Sequence, residues 1–263
     1  MLRSMYAGIS GMKGFQTKLD VIGNNIANVN TSGFKKGRVT FQDMMSQTTA
    51  GAQGPTDNRG GVNPQQVGLG SQLGTIDNLH TQGFLQTTEN PLDLALEGDG
   101  MFVLDTPEGR AYTRAGNFYL DDNQNIVNAD GYYLLNSEED PINIPPEAKS
   151  INVQKDGTVN YVDEDGSTEE AGRIALALFS NPGGLEKIGG NLFLDTNNAG
   201  LAGLVDAESE GAASIASGAL EMSNVDLAEE FTEMITAQRG FQANTRIITT
   251  SDEILQELVN LKR

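Results

Sequence analysis

Residue types that usually do chemistry are sparse in this sequence, and where they cluster their spacing does not suit a catalytic or metal centre. Two acidic runs, Asp121-Asp122-Asn123-Gln124-Asn125 and Asp163-Glu164-Asp165-Gly166, offer the oxygen ligands that a hard cation takes. Neither has glycine at the sixth position and glutamate at the twelfth of a calcium loop. Both therefore read as hairpin turns, with a weak ion site as the lesser alternative. The single histidine, His80, has no cysteine anywhere in the chain with which to share a metal, and reads as a surface residue. Gly68-Leu69-Gly70-Ser71-Gln72-Leu73 lacks the third glycine of a dinucleotide loop, and no phosphate-loop lysine follows it. No G-x-S-x-G elbow occurs. The expectation is a protein that is not an enzyme, with no cofactor and no metal ligands.

The strongest regularities lie at the two ends of the chain. Between about Ser223 and Leu261, Leu227, Met234, Phe241, Ile248 and Leu255 recur at every seventh residue. Phe231, Leu258 and Leu261 add flanking contacts, and Ile247 and Ile254 widen the stripe. Such spacing marks a helix that holds one narrow seam against a partner. At 1.5 Å per residue this helix reaches roughly 54 Å, more than a compact domain of this size requires. From Leu2 to about Val29 a second seam runs through Met5, Met12, Phe15, Leu19, Ile22 and Ile26, with Ile9 beside its weaker start at Gly8. The two helices form either a coiled coil made from the chain's ends or part of an ordinary bundle. Gln238, Thr245 and Asp252 break one flank of the longer seam, and they mark candidate contacts between subunits.

The charge balance narrows the partners. The chain has 263 residues, with 17 basic and 36 acidic side chains and a net charge of −19. That disfavours a nucleic-acid groove, which needs a basic face, and anionic membrane surfaces. There is no cysteine, hence no disulfide or thiolate site. No apolar run is long enough for a membrane span, and the N-terminus lacks the apolar core and cleavage site of a secretory signal.

The first helix should stop between Asn28 and Gly33. The run holding Asn24, Asn25, Asn28 and Asn30 frays a helix, and Gly33 suits its end. The asparagines read as a plain terminus or as a polar patch whose amides satisfy neighbouring backbone. Phe34-Lys35-Lys36-Gly37-Arg38, the tight basic cluster, reads as solvated surface or as a partner for a neighbouring subunit's carboxylates.

Residues 34–75, poor in large apolar side chains from 46 onward, read as an extended linker. From 76 to 195 the pattern is β: short apolar segments bounded by turn signals such as Asp130-Gly131, Asp156-Gly157 and Asp165-Gly166. Ile151–Val153 and Thr158–Val162 flank Asp156-Gly157 as a hairpin, and Ile174–Phe179 reads as a buried strand. Residues 196–219, rich in Gly, Ala and Ser, read as a return linker. The expected fold is α+β. A terminal helical domain (1–33 and 220–263) forms a coiled-coil-like pair, into which an all-β domain, a sandwich or irregular barrel, is inserted.

Three stretches carry a family resemblance. Gly23-Asn24-Asn25-Ile26-Ala27-Asn28-Val29-Asn30-Thr31-Ser32-Gly33-Phe34-Lys35 resembles the N-terminal signature of the bacterial flagellar rod and hook proteins. The C-terminal signature is matched by Ser223-Asn224-Val225-Asp226-Leu227, by Gln238-Arg239-Gly240-Phe241-Gln242-Ala243-Asn244, and by the closing stretch from Thr250 to Leu261. Asn90 to Phe102 and Tyr112 to Phe118 resemble the family's shared β domain. The resemblance implies an exported structural subunit of the hook–basal body that polymerises with itself into a helical tube, its helices inside and its β domain outside. Implied partners are neighbouring rod, hook and hook–filament junction proteins, an assembly cap, and the type III export apparatus, reached without a cleaved signal peptide. Within the family, Gln238–Asn244 and the ending through Lys262-Arg263 resemble hook members, whereas the length resembles distal rod members. The expectation is a short hook-type subunit, with a distal rod subunit as the alternative. Rivals from other classes are a secreted, stalked binding module and a carbohydrate-active enzyme hidden in the β domain.

Overall fold

A computed structural model describes residues 2–56, 59–107, 109–163, 166–209 and 211–261. The order of elements is one long helix, a β-rich middle and a second long helix, an α+β arrangement. The chain divides into two compact units, one of Met1–Ile26, Gly37–Asp77 and Asp226–Arg263, the other of Ala27–Lys36 and Asn78–Val225.

The first unit holds helix α1, Leu2–Ala27, and helix α2, Leu227–Asn260. α1 stops where the asparagine run begins to compete for backbone hydrogen bonds, and the chain turns with Thr31 N–H donating to the Asn28 carbonyl. α2 starts at a cap: the Asp226 carboxylate accepts from Ala228 N (2.8 Å) and Glu229 N (3.4 Å), satisfying donors that a helix start leaves open.

Between the helices in sequence, residues 37–78 differ from the linker expected there. Strands β1 (Gly37–Asp43), β2 (Ser46–Ala50), β3 (Gln65–Gly68) and β4 (Ser71–Asn78) pair antiparallel, β1 with β4 and β2 with β3. Every residue of β2 and β3 is exposed. The ladder is built from backbone hydrogen bonds and threonine contacts such as Thr40–Thr75 at 2.7 Å. Its apolar side chains are few: Val39 and Phe41 alternate along β1, with Phe41 6.3 Å from the Phe15 ring, and Val67 is the one large apolar residue of β2 and β3, which leaves little periodic apolar signal for a sequence reading to find.

The second unit is built on a nine-stranded sheet. Its middle strand, Met101–Thr106, pairs antiparallel with Gly109–Thr113, Tyr133–Leu134 and Ala175–Phe179. Alternate side chains of that strand enter two cores. Phe102 and Leu104 join Leu94, Phe118, Ile126, Ile174 and Leu176, while Met101 and Val103 join Tyr112, Ala175 and Phe193. A strand covered on both faces reads as a continuous apolar run, which Met101-Phe102-Val103-Leu104 is.

The hairpin at Asp156-Gly157 forms with Val153 opposite Val159 and Ile151 opposite Tyr161, and Gly157 takes φ +83° at its turn. The turn at Asp121–Asn125 closes with Asp121 N–H donating to the Asn125 carbonyl. Glu164 and Asp165 of the other acidic run lie outside the described residues, as do Lys262 and Arg263.

The expected return linker also carries strands. Leu201–Asp206 pairs with Ala175–Phe179, and Ser214–Ser217 pairs with Leu94–Glu97. Leu201, Leu204, Val205 and Ile215 pack on the cores from these strands, but they are scattered among glycines, alanines and serines, which read as linker.

Candidate functional site

Two arrangements carry the residues singled out by sequence, one in each unit. In the first unit α1 and α2 run antiparallel. Contact partners on α2 fall in number as those on α1 rise. Gly8 lies against Ile248, Gly11 against Asn244, Phe15 against Gly240 and Asn25 against Glu230, with Lys18 Nζ 3.0 Å from Glu233.

The line of contact is made largely of small and polar residues. A methyl group on Gly240 would come within 2.5 Å of the Phe15 ring, and one on Gly11 within 2.7 Å of Asn244 Nδ2. Ala237, Glu230 and Ser251 are the buried residues of α2. Of the expected seam, Ile22 is buried, and Met5, Met12, Phe15, Leu19, Ile26, Met234, Ile248 and Leu255 are half-buried. Ile9, Leu227, Phe231, Phe241 and Leu258 are exposed instead. Close packing at Gly8, Gly11, Ala237 and Gly240 brings the helices together without them, and their apolar surface stays open. Gln238 and Arg239 are exposed too, and Thr245 Oγ1 donates to Met12 Sδ at 3.3 Å.

Asn25 shows what an amide in the N-terminal signature does. Its Oδ1 accepts from Gly37 N–H at 2.9 Å and its Nδ2 donates to the Gly37 carbonyl at 2.9 Å. Nδ2 also reaches Glu230 Oε2 at 3.2 Å. The side chain thus satisfies both polar groups of Gly37, where β1 begins. Of the two readings of the asparagine run, the polar patch describes Asn25. Asn24 is exposed, and Asn28 Oδ1 accepts from Thr31 Oγ1 at 3.2 Å.

In the second unit the remaining signature residues meet around one buried carboxylate. Glu221, at 0% exposure, takes Lys35 Nζ at 2.6 Å and Gly83 N–H at 2.9 Å on Oε1, and Arg114 Nη1 at 3.2 Å on Oε2. Lys35 and Arg114 are themselves 1% and 4% exposed, and each also donates to backbone, Lys35 to the Thr81 carbonyl and Arg114 to that of Gly98. Burial pulls the Lys35 pKa below its usual value, and the Glu221 charge opposes that shift.

Gly33 N–H donates to the Glu221 carbonyl at 2.8 Å. Gly33 must be glycine here: its φ is +70°, and a Cβ would sit 2.4 Å from the Ala115 nitrogen. Phe34 is buried beneath the Lys187 ammonium, 4.2 Å above the ring. Asn224 completes the lacing. It accepts from Lys36 N–H at 2.8 Å and donates to the Leu79 carbonyl at 2.8 Å and to Thr81 Oγ1 at 2.9 Å. Segments 31–36, 79–84 and 221–224 are thereby held together by side chains whose types suit backbone recognition.

Two expectations change here. Lys35 is no surface cation: a neighbouring element of its own chain covers it and supplies the counter-charge. Glu221 and Arg114 went unread as partners because charges distant in sequence meet only in three dimensions. His80 is half-buried. Its ring lies 5.4 Å from that of Phe193, and both ring nitrogens are buried with no hydrogen-bond partner among the described residues. Burial, followed by the charges of Lys35, Arg114 and Lys187, lowers its pKa to about 4.

The buried carboxylate thus carries two cations and a backbone donor.

Comparison with known proteins gives three family matches along the chain. Residues 5–35 match the family described as flagella basal body rod protein. Residues 95–161 match the D1 domain of flagellar hook protein FlgE/F/G, and residues 216–261 match the C-terminal region of flagellar basal body rod FlgEFG protein. The chain is 58% identical to the flagellar basal-body rod protein FlgG of Bacillus subtilis (strain 168) over the whole of both chains. It is 40% identical to FlgG of Caulobacter vibrioides, covering 99% of this chain and all of the relative. It is 32% identical to the flagellar hook protein FlgE of Borreliella burgdorferi, in an alignment of 441 residues covering both chains.

Proposed function

The chain belongs to the flagellar basal-body rod and hook protein family, and on that premise we propose that it is a distal rod subunit, polymerising with copies of itself into the flagellar drive shaft. Membership makes it a structural component of the flagellar hook–basal body; the family is not one of enzymes. Among the described residues no helix is long and apolar enough to cross a membrane.

The preference for a hook-type subunit yields to the alternative. The rod protein at 58% identity aligns over 264 residues, whereas the hook protein at 32% needs an alignment of 441. The short stretch Gln238–Asn244 pointed to the hook, but length weighs more, because the hook relative's additional residues have no counterpart in this chain.

One observation carries the polymer reading. The paired helices leave Leu227, Phe231, Ile235, Phe241 and Ile247 exposed along α2, and large exposed apolar surfaces mark sites of association. Neighbouring subunits cover it, and the small-residue line of contact between α1 and α2 supports a coiled-coil-like pair within each subunit. Adjacent rod and hook proteins, the hook–filament junction, an assembly cap and the export apparatus are the partners this role entails.

The test is electron microscopy of basal bodies from cells lacking the protein. A rod that stops short is the expected result. A complete rod without a hook would return the assignment to the hook.

A further inference from the structure

α1 carries a groove on the side turned away from α2. Arg3, Tyr6, Ile9 and Lys13 recur at three- and four-residue spacing. With Met44 and Leu69, which follow β1 and β3, they line a cavity of about 420 Å³. The α1 residues that meet α2 are Gly8, Gly11, Phe15, Lys18 and Asn25. At 3.6 residues per turn the two sets point to opposite sides of the helix. Tyr6 is 68% exposed. Among the described residues neither Arg3 nor Lys13 pairs with a carboxylate.

The end of α2 carries the complementary surface. Ile254, Leu258 and Leu261 follow one another at helical spacing and are 49%, 48% and 83% exposed. Glu253 and Glu257 run beside that stripe. Since Gly8 already faces Ile248, the turns after Leu255 have no turn of α1 opposite them among the described residues.

We propose that the groove receives the last turns of α2, residues 252–261, from a second copy of the chain. This rests on the polymer reading above and names the contact within it. Apolar side chains of the tail enter between Tyr6, Ile9, Met44 and Leu69, while Glu253 and Glu257 meet Arg3 and Lys13. In a chain of net charge −19, two unpaired cations, one at each end of the groove, select an acidic partner. The chain's own tail cannot fill the groove, because α2 is one continuous helix packed on the other side of α1. Donor and acceptor surfaces differ, so the contact can repeat head to tail, and where its rotation does not close a ring it builds an open filament.

The chain has no cysteine, so full-length Ile9→Cys and Leu258→Cys chains each carry a single thiol. Co-assembled and treated with a short bismaleimide, they should give a cross-linked dimer that is absent from either chain alone and from the unassembled mixture. In a second arm, Lys13→Glu and Glu257→Lys should each raise the critical concentration for assembly about tenfold, and the double variant should recover to within about twofold. If the cysteine chains do not assemble, the charge-swap arm decides. Normal filaments without the mixed cross-link, or a double variant no better than the singles, would overturn the groove contact and leave the polymer reading standing. A full-length chain that stays monomeric at every concentration overturns both.

Discussion

Replacing Glu221 with glutamine removes one charge and almost no volume from the second unit, so its cost isolates the electrostatics of the buried cluster. The carboxylate is fully buried between Lys35 and Arg114, themselves 1% and 4% exposed. A glutamine can offer its oxygen to Lys35 Nζ and Gly83 N–H, but its NH₂ then meets the Arg114 guanidinium, donor against donor. Two buried cations are left without a counter-charge, and breaking a buried pair in this way costs about 3–5 kcal/mol. For a folding unit of this size each kcal/mol lowers the melting temperature by roughly 2–4 °C, giving a fall of roughly 6–20 °C. Urea unfolding of the full chain, followed by circular dichroism, should show the midpoint falling with the slope unchanged.

An apolar replacement of the whole cluster (Lys35→Met, Arg114→Met and Glu221→Leu together) tests the reasoning from the other side. Such replacements are often neutral elsewhere. Here they orphan Gly83 N–H and the Gly98 carbonyl, at about 1–3 kcal/mol each, and leave the Thr81 carbonyl with Asn224 Nδ2 as its donor. The triple variant should therefore also be less stable than the native chain. A Glu221→Gln loss below about 1 kcal/mol, or a triple variant as stable as the native chain, refutes the account.

His80 gives the chain a pH dependence. Its folded pKa of about 4 lies below the unfolded value of 6.5, so between them the unfolded chain takes up a proton that the folded chain does not. Stability should fall as pH drops from 6.5 toward 4 and level off below, with a loss of up to about 3 kcal/mol that His80→Gln abolishes; equal slopes for the two chains would contradict it. Gly33→Ala should cost roughly 2–5 kcal/mol in the same urea transition, because both the positive φ and the nearby Ala115 backbone oppose a side chain. A loss under about 1 kcal/mol would mean that the backbone at Gly33 relaxes freely.

What the sequence by itself determined is what local chemistry and periodicity encode. Helix α1 ends within its asparagine run and Asp156-Gly157 turns a hairpin, because each is decided by residues within a few positions of one another. The signatures at both ends and in the middle identified the family for the same reason, since they are contiguous.

The tertiary structure decided what depends on residues far apart in the chain. Lys35 looked like a solvated cation because Glu221, 186 positions away, is invisible from its neighbourhood. β1 to β4 were missed because ladders held by backbone hydrogen bonds, with few apolar side chains, leave little apolar period. The heptads located the helices but not which of their apolar residues meet within one chain. Period fixes where an apolar residue lies on a helix, but only the approach of the second helix, set by Gly8, Gly11, Ala237 and Gly240, decides which of those residues it covers. Leu227, Phe231, Phe241 and Leu258 stayed outside that approach, and so remain available for contacts with other subunits.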